Sequence, residues 1–243
     1  MPQQLMPIVE RFADARILLV GDFMLDRYVF GDAERISPEA PVPVLRVIEQ
    51  QDRVGGAGSV ALNVVALGGR VFCCGLLGKD AYGERVEQAL REAGCDTGGL
   101  LRVGDRPTIT KTRLVGLAEH RHRQQILRVD DEIVRPLHTE DEKHLLACVR
   151  DRLAHSDALC LEDYDKGVLS APTCAALIAA AREAGRPVLV DPARSPDWAK
   201  YAGATLLTPN RAELEIACGR PLADSELEAA GSELIRAHKF DGL

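Results

Sequence analysis

The chain has 243 residues, 46% of them hydrophobic, and a formal charge of −7, which is enough apolar material for a sizeable core in one α/β domain, with or without a small appendage. The acidic balance argues against broad nucleic-acid or anionic-membrane binding, both of which need a net or clustered positive field. No stretch approaches the roughly 20 apolar residues of a membrane helix.

In chain order, Glu10, Arg11 and Asp14 interrupt the first apolar residues, so no signal peptide is expected and a cytoplasmic location is. Ile17–Val20 is an apolar run ending in Gly-Asp, the pattern of a buried strand that delivers Asp22, and then Asp26, to the mouth of a site. Asp in such a loop also supports turns through its own backbone contacts. Segment 28–48 alternates β-branched residues with Pro38, Pro41 and Pro43, which suits exposed edge strands. Gly55, Gly56 and Gly58 allow close approach of a ligand and open a helix whose free amides favour an anion. Gly56 to Ala61 also fits the dinucleotide pattern G-x-G-x-x-A with Asp80 downstream, but polar Glu49–Arg53 stands where that pattern needs a buried strand.

Val71–Leu77 is a second interior strand. Segment 108–129 breaks the alternation again and is expected to be a hairpin turning near Gly116 to His122, with Lys111 and Arg113 on one face. On spacing alone, a solvated strand face accounts for these cations and for Arg123 and Arg128, while His120 and His122 are expected to face solvent. Thr139 and Glu142 predict a capping box ahead of the stripe Leu145, Leu146, Val149 and Leu153. Ser170 and Pro172 open a helix with the stripe Cys174, Leu177, Ile178 and Ala181, stopping at Gly185. Ala158–Leu161, Val188–Val190 and Thr205–Leu207 complete the interior strands.

Strands separated by helices imply parallel crossovers and a doubly wound, mainly parallel sheet, here with a small β lid built from segments 28–48 and 108–129. Ligands bind beyond the carboxyl ends of such strands, which lines up Asp22, Asp163, Asp191 and Asn210 along one edge. Asn210 and Glu213 have capping-box spacing. Seven cysteines, an odd number with no Cys-x-x-Cys pair, argue against zinc or a disulfide framework, and Cys73, Cys74, Cys160 and Cys174 are expected to pack as small hydrophobes.

The ordered series GDFMLDRY, RISPEAPVPV, GGAGSVALNVVALGG, RPTITKTR, QQILRVDDE, LEDYDKG, LVDP and TLLTPNRAELE resembles the ribokinase-like sugar kinases, and among them the bacterial heptose-7-phosphate kinases, over nearly the whole chain. The resemblance implies one α/β kinase domain over 1–243, incomplete at its C-terminus, whose β lid serves as a homodimer contact. It implies a phosphosugar partner, ATP and Mg2+, and transfer of the γ-phosphoryl of ATP to the anomeric hydroxyl of D-glycero-β-D-manno-heptose 7-phosphate, in ADP-heptose synthesis for lipopolysaccharide. Such transfer rests on positioning and charge neutralisation.

Carried over residue by residue, the resemblance makes Asp22 and Asp26 sugar-side acids, with Gly55 and Gly56 close to the sugar. Ser59 stands where an asparagine is usual, with a shorter reach and one donor fewer. Lys111, Arg113 and Arg128 become lid cations facing the sugar's phosphate. Asp163 and Lys166 would lie where sugar and phosphates meet, Lys166 touching the transferring phosphoryl; a structural salt bridge is the other reading of that lysine. Asp191 would support the site. Asn210, Arg211, Ala212 and Glu213 form the N-x-x-E run beside ATP, Glu213 acting on Mg2+ through water. The family's general-base aspartate sits in a Gly-Ala-Gly-Asp run, which is absent from this sequence and expected beyond Leu243. Losing a base and its anion-hole amides costs roughly 10²-fold or more each. The alternative expectations are therefore an inactive chain that still binds phosphosugar, or a kinase for another phosphosugar.

Overall fold

Apolar residues on both sides of a strand require a protein layer on both sides of the sheet, and strand β1 (Arg16–Gly21) shows this directly. Leu18 and Val20 face one core cluster, Leu19 the other, and all three are fully buried. The computed structural model describes residues 2–117 and 123–243. After helix α1 (Pro2–Glu10) and β1, the chain forms β2 (Phe23–Ile36), β3 (Pro43–Gly56), α2 (Ala57–Ala66), β4 (Arg70–Gly78), α3 (Ala81–Glu92), β5 (Asp96–Val103), β6 (Thr110–Leu117) and β7 (Gln124–Asp131). It continues through α4 (Thr139–Leu153), β8 (Ala158–Glu162), α5 (Ala171–Glu183), β9 (Val188–Asp191), β10 (Leu206–Leu207), α6 (Arg211–Cys218) and α7 (Leu227–His238).

Six strands form a parallel sheet in the order β10-β9-β8-β1-β4-β5. One face packs against α4 and α5 through Leu145, Val149, Leu153, Cys174, Leu177, Ile178 and Ala181. The other is covered by α2 and α3, with Ala57, Ala61, Val86 and Leu90. The mainly parallel, doubly wound sheet is the expected one. Strand β5 has no counterpart in the expected elements, because Asp-Thr-Gly-Gly reads as a turn. Gly99 is required there: a Cβ would lie 2.5 Å from Cys74 Sγ on the neighbouring strand.

The capping box expected at Thr139 does not form. His138 occupies the cap position without a side-chain bond, and Glu142 Oε1 instead accepts from Thr173 Oγ1 at 2.6 Å, so a tertiary tie between α4 and α5 displaces the local cap. The caps at Ser170 and Asn210 form as expected.

The second sheet has the order β3-β2-β6-β7 and makes the lid. Its β2–β3 ribbon spans 23–56 rather than 28–48, since β2 leaves the body one residue after β1 ends, and β6 and β7 reach Asp131. The expected turn around His120 and His122 lies outside the described residues. Among the described residues, no helix is long and apolar enough to cross a membrane.

Glu162 and Asp191 are partners across the ends of β8 and β9. Glu162 is 7% exposed, and its Oε2 has no hydrogen-bond partner among the described residues. Burial first, then the charge and hydrogen bond of Asp191, push its carboxyl up to about 8. A carboxyl whose folded pKa is raised favours folding in its protonated form, so stability falls as pH rises from the ordinary glutamate range to about 8 and levels off above it. Urea denaturation across this window is expected to show that decline, on the order of a few kcal/mol, and Glu162→Gln to flatten it. Gly167 has φ 99°, and a Cβ there would run into the Arg135 carbonyl. Gly167→Ala is accordingly expected to cost about 1–3 kcal/mol in the same measurement.

Candidate functional site

The lid strands enter the body where the parallel strands end, and Asp22 occupies that junction. Its carbonyl accepts from Ala57 N at 3.0 Å, and its own N donates to the Glu162 carbonyl at 3.3 Å. The Asp22 carboxylate is fully buried. Oδ2 accepts from the backbone N of Tyr164 (3.0 Å) and Lys166 (3.1 Å), and Oδ1 from that of Val168 (3.4 Å). Burial, then the charge of Asp163, raise its pKa to about 6 against the pull of these amides. The side chain neither supports its own turn nor stands free for a sugar: both oxygens accept from amides of the distant 163–168 loop, which Asp22 thereby shapes.

Asp163 is similarly enclosed. Oδ1 accepts from Asp165 N at 2.8 Å, and Oδ2 accepts from the Tyr201 hydroxyl at 2.7 Å and pairs with Lys200 Nζ at 2.6 Å. Asp165 (φ 58°) and Gly167 bend the loop sharply. Lys166 Nζ leaves it and meets Glu132 Oε1 at 2.8 Å, just past the end of β7, so the salt bridge does form. Lys111 Nζ is 3.4 Å from the same glutamate and 3.2 Å from Asp130. Burial would raise Glu132, but Lys166 and Lys111 outweigh it and hold the carboxyl below its ordinary value.

Strand register sets out the lid face. Asp26 lies between Arg53 and Lys111, which in turn pairs with Asp130, and Tyr28 lies between Gln51 and Arg113, which pairs with Arg128. One Arg113 guanidinium nitrogen donates to Asp26 Oδ1 at 2.6 Å, with the guanidinium 5.2 Å from the Tyr28 ring centre. Arg128 binds Asp130 through two nitrogens at 2.9 and 3.0 Å. Lys111 and Arg113 do share a face, and each has an acidic partner that an incoming anion would have to replace, while Arg53 on the same face bonds Gln51 and lies over the Tyr28 ring. Arg123 instead lies over the Phe30 ring, 4.9 Å from its centre.

The glycines belong to this junction. A Cβ on Gly55 would lie 2.6 Å from Asp26 Oδ2, and Gly56 (φ 57°) sits against the Asp22 carbonyl. Ser59 donates its hydroxyl to the Val54 carbonyl at 2.9 Å, so its one donor is already used. The dinucleotide pattern finds no support. The preceding strand is the antiparallel lid strand β3, and Asp80 caps α3 through Gly83 N (2.8 Å) while binding Thr108 N (2.7 Å) and Oγ1 (2.8 Å).

Farther along the same edge, Asn210 caps α6. Its side chain accepts from Glu213 N at 3.1 Å, while its N and Nδ2 donate to Glu213 Oε2 (2.8 Å) and Oε1 (2.6 Å). Arg211 pairs with Glu215 and Asp224, and Ala212 is exposed in the first turn. Beside them a cavity of about 610 Å³ is walled by Leu206, Leu207, Pro209, Leu214 and Leu227. Among the described residues no three His, Cys, Asp or Glu side chains converge as a metal cage. The orphaned Glu162 oxygen and half-buried Asp191, which feels the Glu213 charge, fit a hydrated Mg2+ held mainly by waters and phosphates.

Two side chains at the junction escape sequence reasoning. One is Glu132, the acidic end of QQILRVDDE. The other is Arg106, a buried guanidinium that donates to the carbonyls of Arg135 (3.2 Å) and Pro136 (3.0 Å) and lines a small internal cavity with Asp22, Lys166 and Val168. Only the RPT run hinted at it.

Residues 14–240 match the pfkB family of carbohydrate kinases. The chain is 44% identical over 241 residues to the bifunctional protein HldE of Mesorhizobium japonicum, covering 99% of this chain and 47% of that one. It is 47% identical over 232 residues to HldE of Alcanivorax borkumensis, covering 95% and 46%. It thus spans about half the length of these curated relatives. Among solved structures, Arabidopsis thaliana ribokinase complexed with ribose and ATP superposes with a TM-score of 0.67 at 17% identity, covering 91% of this chain and 69% of that one. A parallel sheet with a β lid, matched to the family across nearly its full length, makes this chain a member of the pfkB family of carbohydrate kinases.

Proposed function

We propose that this chain is the kinase part of a heptose-phosphate kinase, a single domain over 1–243 that takes D-glycero-β-D-manno-heptose 7-phosphate and ATP and forms the 1,7-bisphosphate for ADP-heptose and lipopolysaccharide synthesis. The observation that carries this reading is a row of lid cations on one strand face, tied to the 163–168 loop through Glu132: Lys111, Arg113 and Arg128, each paired with a carboxylate that a sugar phosphate displaces or shares. An acidic protein needs such a local cationic surface to hold a doubly charged ligand. The identity to HldE proteins supports the choice of sugar.

In this reading Asp26 accepts from sugar hydroxyls once Arg113 turns to the 7-phosphate. Gly55 and Gly56 admit the ring close to the backbone, and Ser59 lines the pocket without donating. Asp22 and Asp163 hold the 163–168 loop, from which Lys166 exchanges Glu132 for the transferring phosphoryl. Asn210 to Glu213 stand on the ATP side. Mg2+, through its waters near Asp191 and Glu213, would neutralise the phosphates. The exposed lid residues Val47, Ile48, Ile126 and Leu127 suit burial in a homodimer, and the protein works in the cytoplasm.

A second reading, favoured by the engagement of Lys166 with Glu132, is that the chain binds the phosphosugar and leaves transfer undone. Calorimetry separates the two. Heptose 7-phosphate is expected to bind, and Arg113→Ala to weaken it by roughly 10- to 100-fold while leaving unphosphorylated heptose unaffected; no heat with the wild-type chain overturns both readings. With ATP and Mg2+ added, release of ADP and a bisphosphate mass identify the kinase. Binding without ADP release identifies the second reading. Lys166→Ala is expected to lower turnover at least tenfold with little change in sugar-phosphate affinity.

A further inference from the structure

Adjacent cysteines on β4 point to opposite faces of the sheet, and each meets another thiol. Cys73 faces the α2–α3 layer and lies against Cys95. Cys74 faces the α4 layer, where its Sγ donates to Cys148 Sγ at 4.0 Å. Cys74 is fully buried, whereas Cys148, on α4, is partly open to solvent. Room for the Cys74 sulfur is reserved by Gly99 on the adjacent strand. One turn along α4, the guanidinium of Arg152 lies over the Phe72 ring, 4.2 Å from its centre. The hydrogen bond from Cys74 and, against burial, the charge of Arg152 bring Cys148 down to about 7, while Cys74 is pushed up. Asp151 and Asp96 oppose this weakly.

We propose that Cys148 and Cys74 form a peroxide-oxidisable dithiol, with Cys148 the thiol attacked first and Cys74 the one that resolves it. Cys148 has what an oxidant-sensing thiol needs: access, a nearby cation and a partner sulfur. The Cys148 thiolate attacks one oxygen of hydrogen peroxide. An S–O bond forms, the O–O bond breaks, hydroxide leaves, and the sulfur, oxidised by two electrons, becomes a sulfenic acid. Cys74 sulfur then attacks that sulfur as its thiol proton joins the departing oxygen. An S–S bond forms, the S–O bond breaks, and water leaves. In sum, two thiols and one hydrogen peroxide give one disulfide and two waters, and the sulfurs need to close by about 2 Å. Cys73 and Cys95, both buried, lack the access that starts the sequence.

The test uses the whole chain, treated with hydrogen peroxide, alkylated under denaturing conditions and mapped as non-reduced peptides by mass spectrometry. The expected result is loss of two of the seven thiols, recovered with dithiothreitol, and one cross-linked peptide joining Cys74 to Cys148. Cys148→Ser is expected to abolish that loss, and Cys95→Ser to leave it intact. Cys74→Ala is expected to leave Cys148 as a sulfenic acid trapped by dimedone. Oxidation of wild-type Cys148 straight to sulfinic or sulfonic acid with no cross-link, or an unchanged loss of two thiols in Cys148→Ser, overturns the proposal. Since both wild-type outcomes are read without any variant, misfolding of a substituted chain does not blunt the test.

Discussion

A buried carboxylate persists only where other groups replace its water, and for Asp22 the backbone amides of Tyr164, Lys166 and Val168 do so. Everything near the strand ends depends on that tie. It joins the end of β1 and the start of the lid, adjacent in the chain, to the loop carrying Lys166, 144 residues on from Asp22. The sharp backbone at Asp165 and Gly167 is tolerable because the three amides it turns inward all find one acceptor. The same logic places Gly56, since any side chain there would collide with the Asp22 carbonyl.

Electrostatics at the lid follow a different rule. Among the described residues, Lys111, Arg113, Arg128 and Lys166 are each matched by Asp26, Asp130 or Glu132, whereas Arg53 and Arg123 lie over the rings of Tyr28 and Phe30. Such pairs contribute little to stability where they are exposed, but they hold the long side chains of this face in set directions. In the proposed reading a ligand phosphate would meet guanidinium and ammonium groups already gathered, and the acids beside them would set how much charge it must bring. Glu132 matters most in this respect, since it is shared by a lysine from the lid and one from the body.

What the sequence revealed follows from which interactions are local. The five apolar strands, the caps at Ser170 and Asn210 and the alignment of Asp22, Asp163, Asp191 and Asn210 on one edge were all legible, because burial on two faces and N-capping leave short-range patterns. Thr139 misled because its capping partner Glu142 is claimed by Thr173 on another helix, a contact that no local spacing announces. Strand β5 was hidden by glycines whose purpose, room for Cys74 and Phe72, lies on the neighbouring strand. Asp22 and Asp163 were rightly placed at the strand ends, but their side-chain partners come from distant segments, so their engagement with amides, Lys200 and Tyr201 became visible only in three dimensions. Arg106 and Glu132 were missed for the same reason.

The long β2–β3 ribbon loses register twice, between Phe30 and Gly31 and between Asp32 and Arg35. Each irregularity bends a paired ribbon and adds twist, so the distal part of the ribbon is aimed on its own axis, separate from the base that carries Asp26 and Tyr28. The distal ribbon therefore points along a line of its own, while Asp26 and Tyr28 stay on the base below both irregularities.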